Sequence, residues 1–205
     1  MRPGKSVYLG IIFIVPFLLG VTILGYWYWT VRIEKKALLP DYGTVPDFSL
    51  TTEHRQPYTR DALMGKISIA DFIFTECAGS CPVMSMKMEE LQDTFHTQPD
   101  LRFVSFSVDP ETDTPEVLAE YARNHHAIRD KWCFLTGSKK LITSITREGF
   151  HLGLEVEGTD AIIHSQKFVL IDNHAHIRGY YDSDDDSAMT RLILDARILL
   201  DKISP

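Results

Sequence analysis

Two cysteines separated by three residues are the part of this sequence with the most specific chemistry. Cys77 and Cys81 follow an apolar run that ends at Phe74, and Pro82 comes directly after the second cysteine. A buried strand followed by a helix start would place both sulfurs at a helix N-terminus, where backbone N–H groups and the helix dipole favour the thiolate. The pair therefore predicts either thiol redox chemistry or a site for a soft metal ion.

The three-residue spacing suits both kinds of chemistry. A disulfide needs an S–S distance of about 2.05 Å, whereas two thiolates on one metal ion at about 2.3 Å lie roughly 4 Å apart. Two thiolates select Cu(I) or zinc, and one imidazole would complete a three-coordinate copper site. A structural disulfide is the plainer alternative, although a pair at such a helix start is more often reactive. Eight histidines could supply the imidazole: His54, His96, His125, His126, His151, His164, His174 and His176.

The apolar pattern around the cysteines predicts alternating strands and helices. Strands are expected over residues 66–74, 101–108 and 132–135, and helices over residues 82–96, 115–124 and 139–150. A hairpin of strands at 162–171 and 175–181 follows, and then a last helix at 187–203. This order predicts a mixed sheet with helices on both sides. With a dithiol at the first long strand-to-helix junction, it is a thioredoxin-like α/β fold.

Other residues whose side chains could bind a metal ion or react are better explained by structural roles. Met84 and Met88 fall on the apolar face of the first predicted helix and Met86 points away from them, so core filling is favoured over copper binding. Cys133 lies inside an apolar strand and is expected to be a buried small side chain. Asp109 is predicted either to influence the thiols from the same end of the sheet or to form a turn.

Residues 7–31 carry no charged side chain, unlike the rest of the chain. A bilayer needs about 20 apolar residues, and this run ends in aromatic residues that suit the membrane–water interface. A cleaved signal peptide would have an apolar region of about 7 to 15 residues that ends in small residues. We therefore predict a short head at residues 1–6, a transmembrane anchor at 7–31, a linker at 32–45 and the thioredoxin-like domain at 46–205.

The composition excludes some classes of protein. The formal net charge of −7 makes nucleic acid an unexpected partner. Three cysteines are too few for a disulfide scaffold. Basic residues flank both ends of the apolar run, so the positive-inside rule does not decide its orientation.

Four motifs occur in an order that resembles one family. They are Cys77-x-x-x-Cys81-Pro82, VSFSVDPETDTP at 104–115, FLTG at 134–137, and IHS at 163–165 followed by FVLID at 168–172. Together they resemble the Sco/SenC family of membrane-tethered thioredoxin-fold proteins that help assemble cytochrome c oxidase. The resemblance covers nearly all of residues 46–205.

The resemblance implies a copper site. In that family two cysteines and a distant histidine bind one copper ion destined for the dinuclear copper centre of oxidase subunit II. Here this implies Cys77, Cys81 and His164 as ligands of Cu(I), Cu(II) or both. It also implies a metallochaperone rather than an enzyme, with oxidase subunit II, other copper chaperones and thiol–disulfide reductants as partners. The implied location is the bacterial inner (cytoplasmic) membrane, crossed once, with the soluble domain on the periplasmic or extracytoplasmic side.

The sequence departs from the family pattern at two places. Residues 78–80 are Ala-Gly-Ser, where the family usually carries proline and aspartate and then a valine before the second cysteine. Ile163 stands where an aspartate usually precedes the histidine. Both changes alter groups close to the implied ligands, so the thiol pKa values and the copper affinity are expected to differ from those of typical members.

Two alternatives use the same cysteines. As a thiol–disulfide reductase, the protein would attack a partner's disulfide with Cys77 and resolve the mixed disulfide with Cys81. That reaction needs only the cysteines, whereas copper delivery also needs His164. A peroxidase of the peroxiredoxin type is disfavoured, because its loop resembles Pro-x-x-x-Thr-x-x-Cys, whereas here Thr75 is too close to Cys77 and no proline precedes it.

Overall fold

The computed structural model describes residues 16–28, 39–76, 81–150 and 166–203. The chain divides into two units, residues 1–39 and residues 40–205. In the first unit, residues 16–28 form helix α1. Within the described ranges, none of the helices is long and apolar enough to cross a membrane. Residues 7–15 and 29–31 of the predicted anchor lie outside those ranges.

The second unit is built on a mixed sheet. Its described residues contribute seven strands in the order β2-β1-β5-β4-β3-β6-β7. They are β1 (Ser49–Thr52), β2 (Pro57–Thr59), β3 (Ile67–Ile73), β4 (Leu101–Ser107), β5 (Trp132–Thr136), β6 (Lys167–Ile171) and β7 (Ile177–Asp182). β3, β4 and β5 run parallel, and the remaining neighbours are antiparallel. β3 is buried along its whole length and lies next to β4, the fourth of the seven strands and so the centre of the sheet.

Helices cover both faces of this sheet. They are α2 (Cys81–Thr94), α3 (Pro115–Asn124), α4 (Lys139–Ser144) and α5 (Asp186–Ile203). Crossovers between parallel strands are right-handed, so α2 and α3 lie on the same face, and Ser85 of α2 is hydrogen-bonded to Tyr121 of α3 at 2.8 Å. The opposite face carries a core cluster in which the rings of Phe72, Phe106 and Phe150 contact one another. The predicted mixed sheet with helices on both sides is confirmed.

Two helices begin where a side chain caps the first turn. Thr114 Oγ1 accepts a hydrogen bond from Val117 N at 3.4 Å, and Pro115 occupies the first turn of α3. Ser138 Oγ accepts from Leu141 N at 3.4 Å at the start of α4. These side chains satisfy backbone N–H groups that have no partner within the helix. α3 therefore spans the predicted residues.

The helix predicted at residues 139–150 is α-helical only as far as Ser144. It continues as a π-helical turn over Ile145–Gly149. In this turn Thr146 Oγ1 donates a hydrogen bond to Ile142 O at 2.8 Å. A threonine that bonds to the preceding turn competes with the regular α-helical pattern, which gives a physical reason for the change.

The strands at the edges differ most from the prediction. β1 and β2 are short and were not predicted. β6 begins at Lys167, and residues 162–165 of the predicted strand lie outside the described ranges. β7 begins at Ile177 rather than Ala175, because Ala175 has a φ of 59° and belongs to the turn.

Residues 42–45 pair with the start of β7. Tyr42 N donates to Ile177 O at 2.9 Å, and Val45 N donates to Ala175 O at 2.8 Å. Val45 is completely buried. The last part of the predicted linker is therefore hydrogen-bonded to the sheet.

Candidate metal centre

Strand β3 and helix α2 frame the predicted site. β3 ends at Ile73, whose carbonyl oxygen accepts a hydrogen bond from Val108 N at 2.8 Å. α2 begins at Cys81, which places this residue at a helix N-terminus as predicted. Cys77, the side chain of Cys81 and His164 lie outside the described part of the structure. The three-residue ligand set therefore stays a prediction.

A buried carboxyl group holds the segment that leads to Cys77. Asp113 is completely buried. Its Oδ1 atom accepts hydrogen bonds from Thr75 Oγ1 at 2.5 Å and from Thr75 N at 3.2 Å. Its Oδ2 atom accepts from Ser107 Oγ at 2.6 Å, at the end of β4. One side chain thus joins the ends of β3 and β4 two residues before the first predicted ligand.

Asp113 belongs to the turn between β4 and α3. Asp109 O accepts hydrogen bonds from Thr112 N at 3.2 Å and from Asp113 N at 2.8 Å. The backbone of Asp109 therefore forms the turn, which is one of its two predicted roles. No role for Asp113 is predicted from the sequence. The signal that points to it is an acidic residue directly before the Thr-Pro start of a helix, close to the end of a strand.

A second buried acid lies on the strand that leads to the site. Asp71 is completely buried in β3, and burial raises its pKa to about 7, although the Ser105 hydroxyl nearby opposes that rise. Desolvation disfavours the charged form of a carboxyl group, so this side chain can hold a proton at neutral pH. The sequence pattern treats Asp71 only as part of a buried strand.

The methionines of α2 divide between the core and the surface. Met84 is 1% exposed and Met88 is 0% exposed, whereas Met86 is 50% exposed. The first two point into the core with the other apolar residues of the helix. The prediction that they fill the core is confirmed, and they do not converge with Met86 on one metal ion.

Cys133 lies on β5, away from the β3–α2 junction. Its Sγ atom lies 3.6 Å from Phe103 O, to which it donates a hydrogen bond, and the residue packs against the core cluster. The residue as a whole is partly rather than completely buried. Burial of its thiol, together with the negative charge of Glu53, raises the pKa of that thiol to about 12. A thiol with so high a pKa is a poor nucleophile and a poor metal ligand at neutral pH.

The side chains of four described histidines have polar partners away from the junction, and one of them is His54, whose Nε2 atom lies 3.6 Å from Glu53 Oε1. His176 Nδ1 lies 2.9 Å from Asp41 Oδ2, and His126 Nδ1 lies 2.7 Å from Glu89 Oε1. His96 Nδ1 lies 2.7 Å from a backbone carbonyl oxygen. Across the described ranges, no three metal-binding side chains are clustered closely enough to hold an ion.

This sheet and junction define a thioredoxin-like α/β protein with a cysteine at the first residue of the helix that follows the buried strand β3. The chain belongs to the SCO1/SenC family, whose model matches residues 37–196. A curated relative, the SCO1 protein homolog of Bacillus subtilis (strain 168), is 32% identical over 156 residues. The match covers 75% of this chain and 81% of that protein.

Solved structures agree with this family and fold. BsSco, a member of the Sco family of cytochrome c oxidase assembly proteins in which a disulfide switch was identified, is 31% identical with a TM-score of 0.68. The match covers 79% of this chain and 95% of that one. ScoI of Arabidopsis thaliana, solved with copper bound, is 28% identical with a TM-score of 0.62, covering 76% of this chain and 99% of that one. The predicted thioredoxin-like fold and family resemblance are confirmed.

Proposed function

We propose that this protein is a membrane-anchored copper metallochaperone that helps assemble the dinuclear copper centre of cytochrome c oxidase. It would bind one copper ion through Cys77, Cys81 and His164. The observation that carries the proposal is the start of α2 at Cys81, as the next helix along the chain after the buried strand β3, in a chain of the SCO1/SenC family. The copper bound to Arabidopsis ScoI and the oxidase-assembly class of BsSco support it.

The chemistry of these residues suits Cu(I) as a transferred cargo. Two thiolates and one imidazole form a soft, three-coordinate site, and a helix N-terminus stabilises thiolates. Delivery would proceed by ligand exchange, in which each copper–sulfur bond to a partner forms as one bond to this protein breaks. The oxidation state of copper does not change, and each released thiolate can take up a proton from water.

Exposed apolar side chains occur near the starts of α2 and α3, at the end of the sheet from which a partner would approach. The parallel strands β3 and β4 both end there, so the first turns of α2 and α3 lie side by side. Val83 is 42% exposed, Met86 is 50% exposed and Val117 of α3 is 37% exposed. Subunit II of the oxidase, or another copper chaperone, would contact these residues when its thiolates reach the copper ion.

We also propose that residues 7–31 anchor the protein in the bacterial inner membrane, with the domain on the extracytoplasmic side. The described part of this segment, helix α1, exposes large apolar side chains. They are Phe17, Leu18, Leu19, Val21, Ile23 and Leu24. A bilayer would remove this apolar area from water. A reporter fused after the C-terminus should be active only outside the cytoplasm, and activity confined to the cytoplasm would contradict this orientation.

A thiol–disulfide reductase is the second candidate function. The observation that favours it is the disulfide switch identified in BsSco, a 31% identical relative. Cys77 would attack a partner's disulfide, and Cys81 would then displace the reduced partner and leave the two cysteines joined. His164 has no place in that sequence of steps.

A Cu(I) titration separates the two functions. The full-length reduced protein in detergent micelles is titrated with Cu(I) against a competing chelator, alongside Cys77→Ala, Cys81→Ala and His164→Ala. Matched controls are Cys133→Ala, which removes the cysteine on β5, and His126→Ala, which removes a histidine paired with Glu89. We expect one-to-one binding that the first three substitutions weaken and the controls do not. If His164→Ala binds Cu(I) as tightly as wild type, the copper proposal is overturned in favour of the reductase.

A further inference from the structure

The Asp113 carboxyl group holds Thr75, which lies two residues before Cys77 in the chain. It accepts hydrogen bonds from three donors: the Thr75 amide, the Thr75 hydroxyl and the Ser107 hydroxyl. Asp113 and Ser107 are both completely buried and Thr75 is partly buried, so bulk water has restricted access to these bonds. Hydrogen bonds are electrostatically stronger in such surroundings than in water. Thr75 therefore has little freedom to move away from the turn before α3.

On the C-terminal side of the cysteine pair, helix α2 is held in place by packing of its apolar face. Cys81 is the first residue of α2, and the buried Met84 and Met88 hold the first turns of that helix against the sheet. The short connection between Thr75 and α2, which contains Cys77, is therefore attached at both ends to rigid structure. Hydrogen bonds to one side chain secure the first attachment, whereas an apolar helix face secures the second.

We propose that Asp113 is a positioning residue of the cysteine pair, which it pre-organises by holding Thr75. The predicted effect of Asp113 on copper binding rests on the proposed function. The positioning role also applies to disulfide formation, because the copper-bound form and the disulfide form both hold the two sulfur atoms at a defined separation. Without the hydrogen bonds to Thr75, the reduced cysteine pair would sample more conformations. Copper binding and disulfide formation would then each lose more conformational entropy and become less favourable.

Substitutions at Thr75 test this positioning without removing a buried acid. Thr75→Val keeps the branched shape and deletes the hydroxyl donor, whereas Thr75→Ser keeps the donor. In the full-length protein we expect Thr75→Val to lower Cu(I) affinity by about tenfold, and Asp113→Ala to approach a hundredfold, the range found when groups that orient metal ligands are lost. We expect Thr75→Ser to stay close to wild type.

The dithiol–disulfide equilibrium gives a readout that does not need copper. Thr75→Val should make disulfide formation about tenfold less favourable, which corresponds to a reduction potential about 30 mV higher. Thr75→Ser should restore the wild-type potential. If the wild-type chain binds no Cu(I), the proposed copper function fails, whereas this comparison still tests the role of Asp113.

Glu53 supplies a matched control for a general loss of stability. It is 8% exposed, and its Oε2 atom accepts a hydrogen bond from Phe134 N at 2.9 Å. This contact lies between β1 and β5 rather than at the β3–α2 junction. Glu53→Gln should leave both the copper affinity and the potential unchanged. The proposal is overturned if Thr75→Val matches wild type in both measurements, or if Glu53→Gln shifts them equally.

Discussion

Asp71 on β3 lies opposite Ser105 on β4, and the Ser105 hydroxyl accepts a hydrogen bond from Trp132 Nε1 at 2.9 Å. Neither carboxyl oxygen of Asp71 has a hydrogen-bond partner in the described part of the structure. An ionised carboxyl group without donors is costly in apolar surroundings. Burial accordingly raises the pKa of Asp71 to about 7. The buried strand β3 thus contains an acid that keeps its proton through the acidic range.

Replacing Asp71 with asparagine should change how stability depends on pH. The folded protein binds this proton more tightly than the unfolded chain, in which the aspartate pKa is about 3.9. The stabilising contribution is therefore complete below about pH 4 and is lost as the pH rises to about 7. Asp71→Asn cannot ionise, so at pH 8 it should be more stable than wild type by a few kcal/mol, on the order of 4.

Urea unfolding of both proteins between about pH 4 and pH 8 measures this effect. The free energies of unfolding should be similar at the acidic end and should diverge as the pH rises. Because other titrating groups are common to both proteins, the difference isolates Asp71. A difference that stays constant over the whole range would show that Asp71 does not titrate in this interval.

The high thiol pKa of Cys133 predicts how many cysteines react in the native protein. Burial and the nearby Glu53 disfavour its thiolate, and the thiolate is the reactive form. We expect the reduced native protein to react rapidly with two equivalents of a thiol reagent at pH 8, and with a third only after unfolding. Cys133→Ala should leave the native count unchanged. Three equivalents reacting at one rate in the native protein would contradict this assignment.

The hydrogen bond between Ser85 and Tyr121 should couple α2 to α3. The two oxygen atoms are 2.8 Å apart, and Ser85 is completely buried. Ser85→Ala leaves the Tyr121 hydroxyl without this partner and should lower the free energy of unfolding by about 1–3 kcal/mol. A double-mutant cycle with Tyr121→Phe should give a coupling energy of about 1 kcal/mol. Additive effects of the two substitutions would argue against the coupling.

The methionines of α2 should affect stability rather than copper binding. Met88→Ala removes a completely buried side chain and should cost about 2–5 kcal/mol. Met86→Ala changes an exposed position and should stay within about 0.5 kcal/mol of wild type. The Cu(I) stoichiometry of Met86→Ala, measured in the same competition titration, should remain one to one. A lower stoichiometry would instead indicate a thioether ligand.

Buried elements close to the site are predictable from the sequence because their signals are local. α3 matches its predicted bounds, since Thr114 and Pro115 mark the start of the helix. β3, β4 and α2 agree with their predicted bounds to within one or two residues at each end. Each has a strong apolar pattern that depends on that segment alone.

The polar groups that support the site are not predictable in this way. Asp113 and Thr75 are 38 residues apart, and their contact depends on how two strand ends meet. Asp71 is a single polar residue within an apolar strand, so its unusual surroundings arise only when β4 and the helices pack against it. His164 stays a prediction from a sequence motif, because histidine occurs eight times in the chain and its type alone does not single out one position.

The pairing of residues 42–45 with β7 restricts how this protein can associate with others. A free strand edge is a template for adding a strand from another molecule, which leads to aggregation. Here the backbone of Tyr42 and Val45 occupies the beginning of one outer edge. The opposite edge is β2, which has three residues and begins with Pro57, a residue that lacks an N–H donor. Both edges are therefore poorly suited to extending the sheet with a strand from another molecule, which lowers the tendency of the folded domain to aggregate.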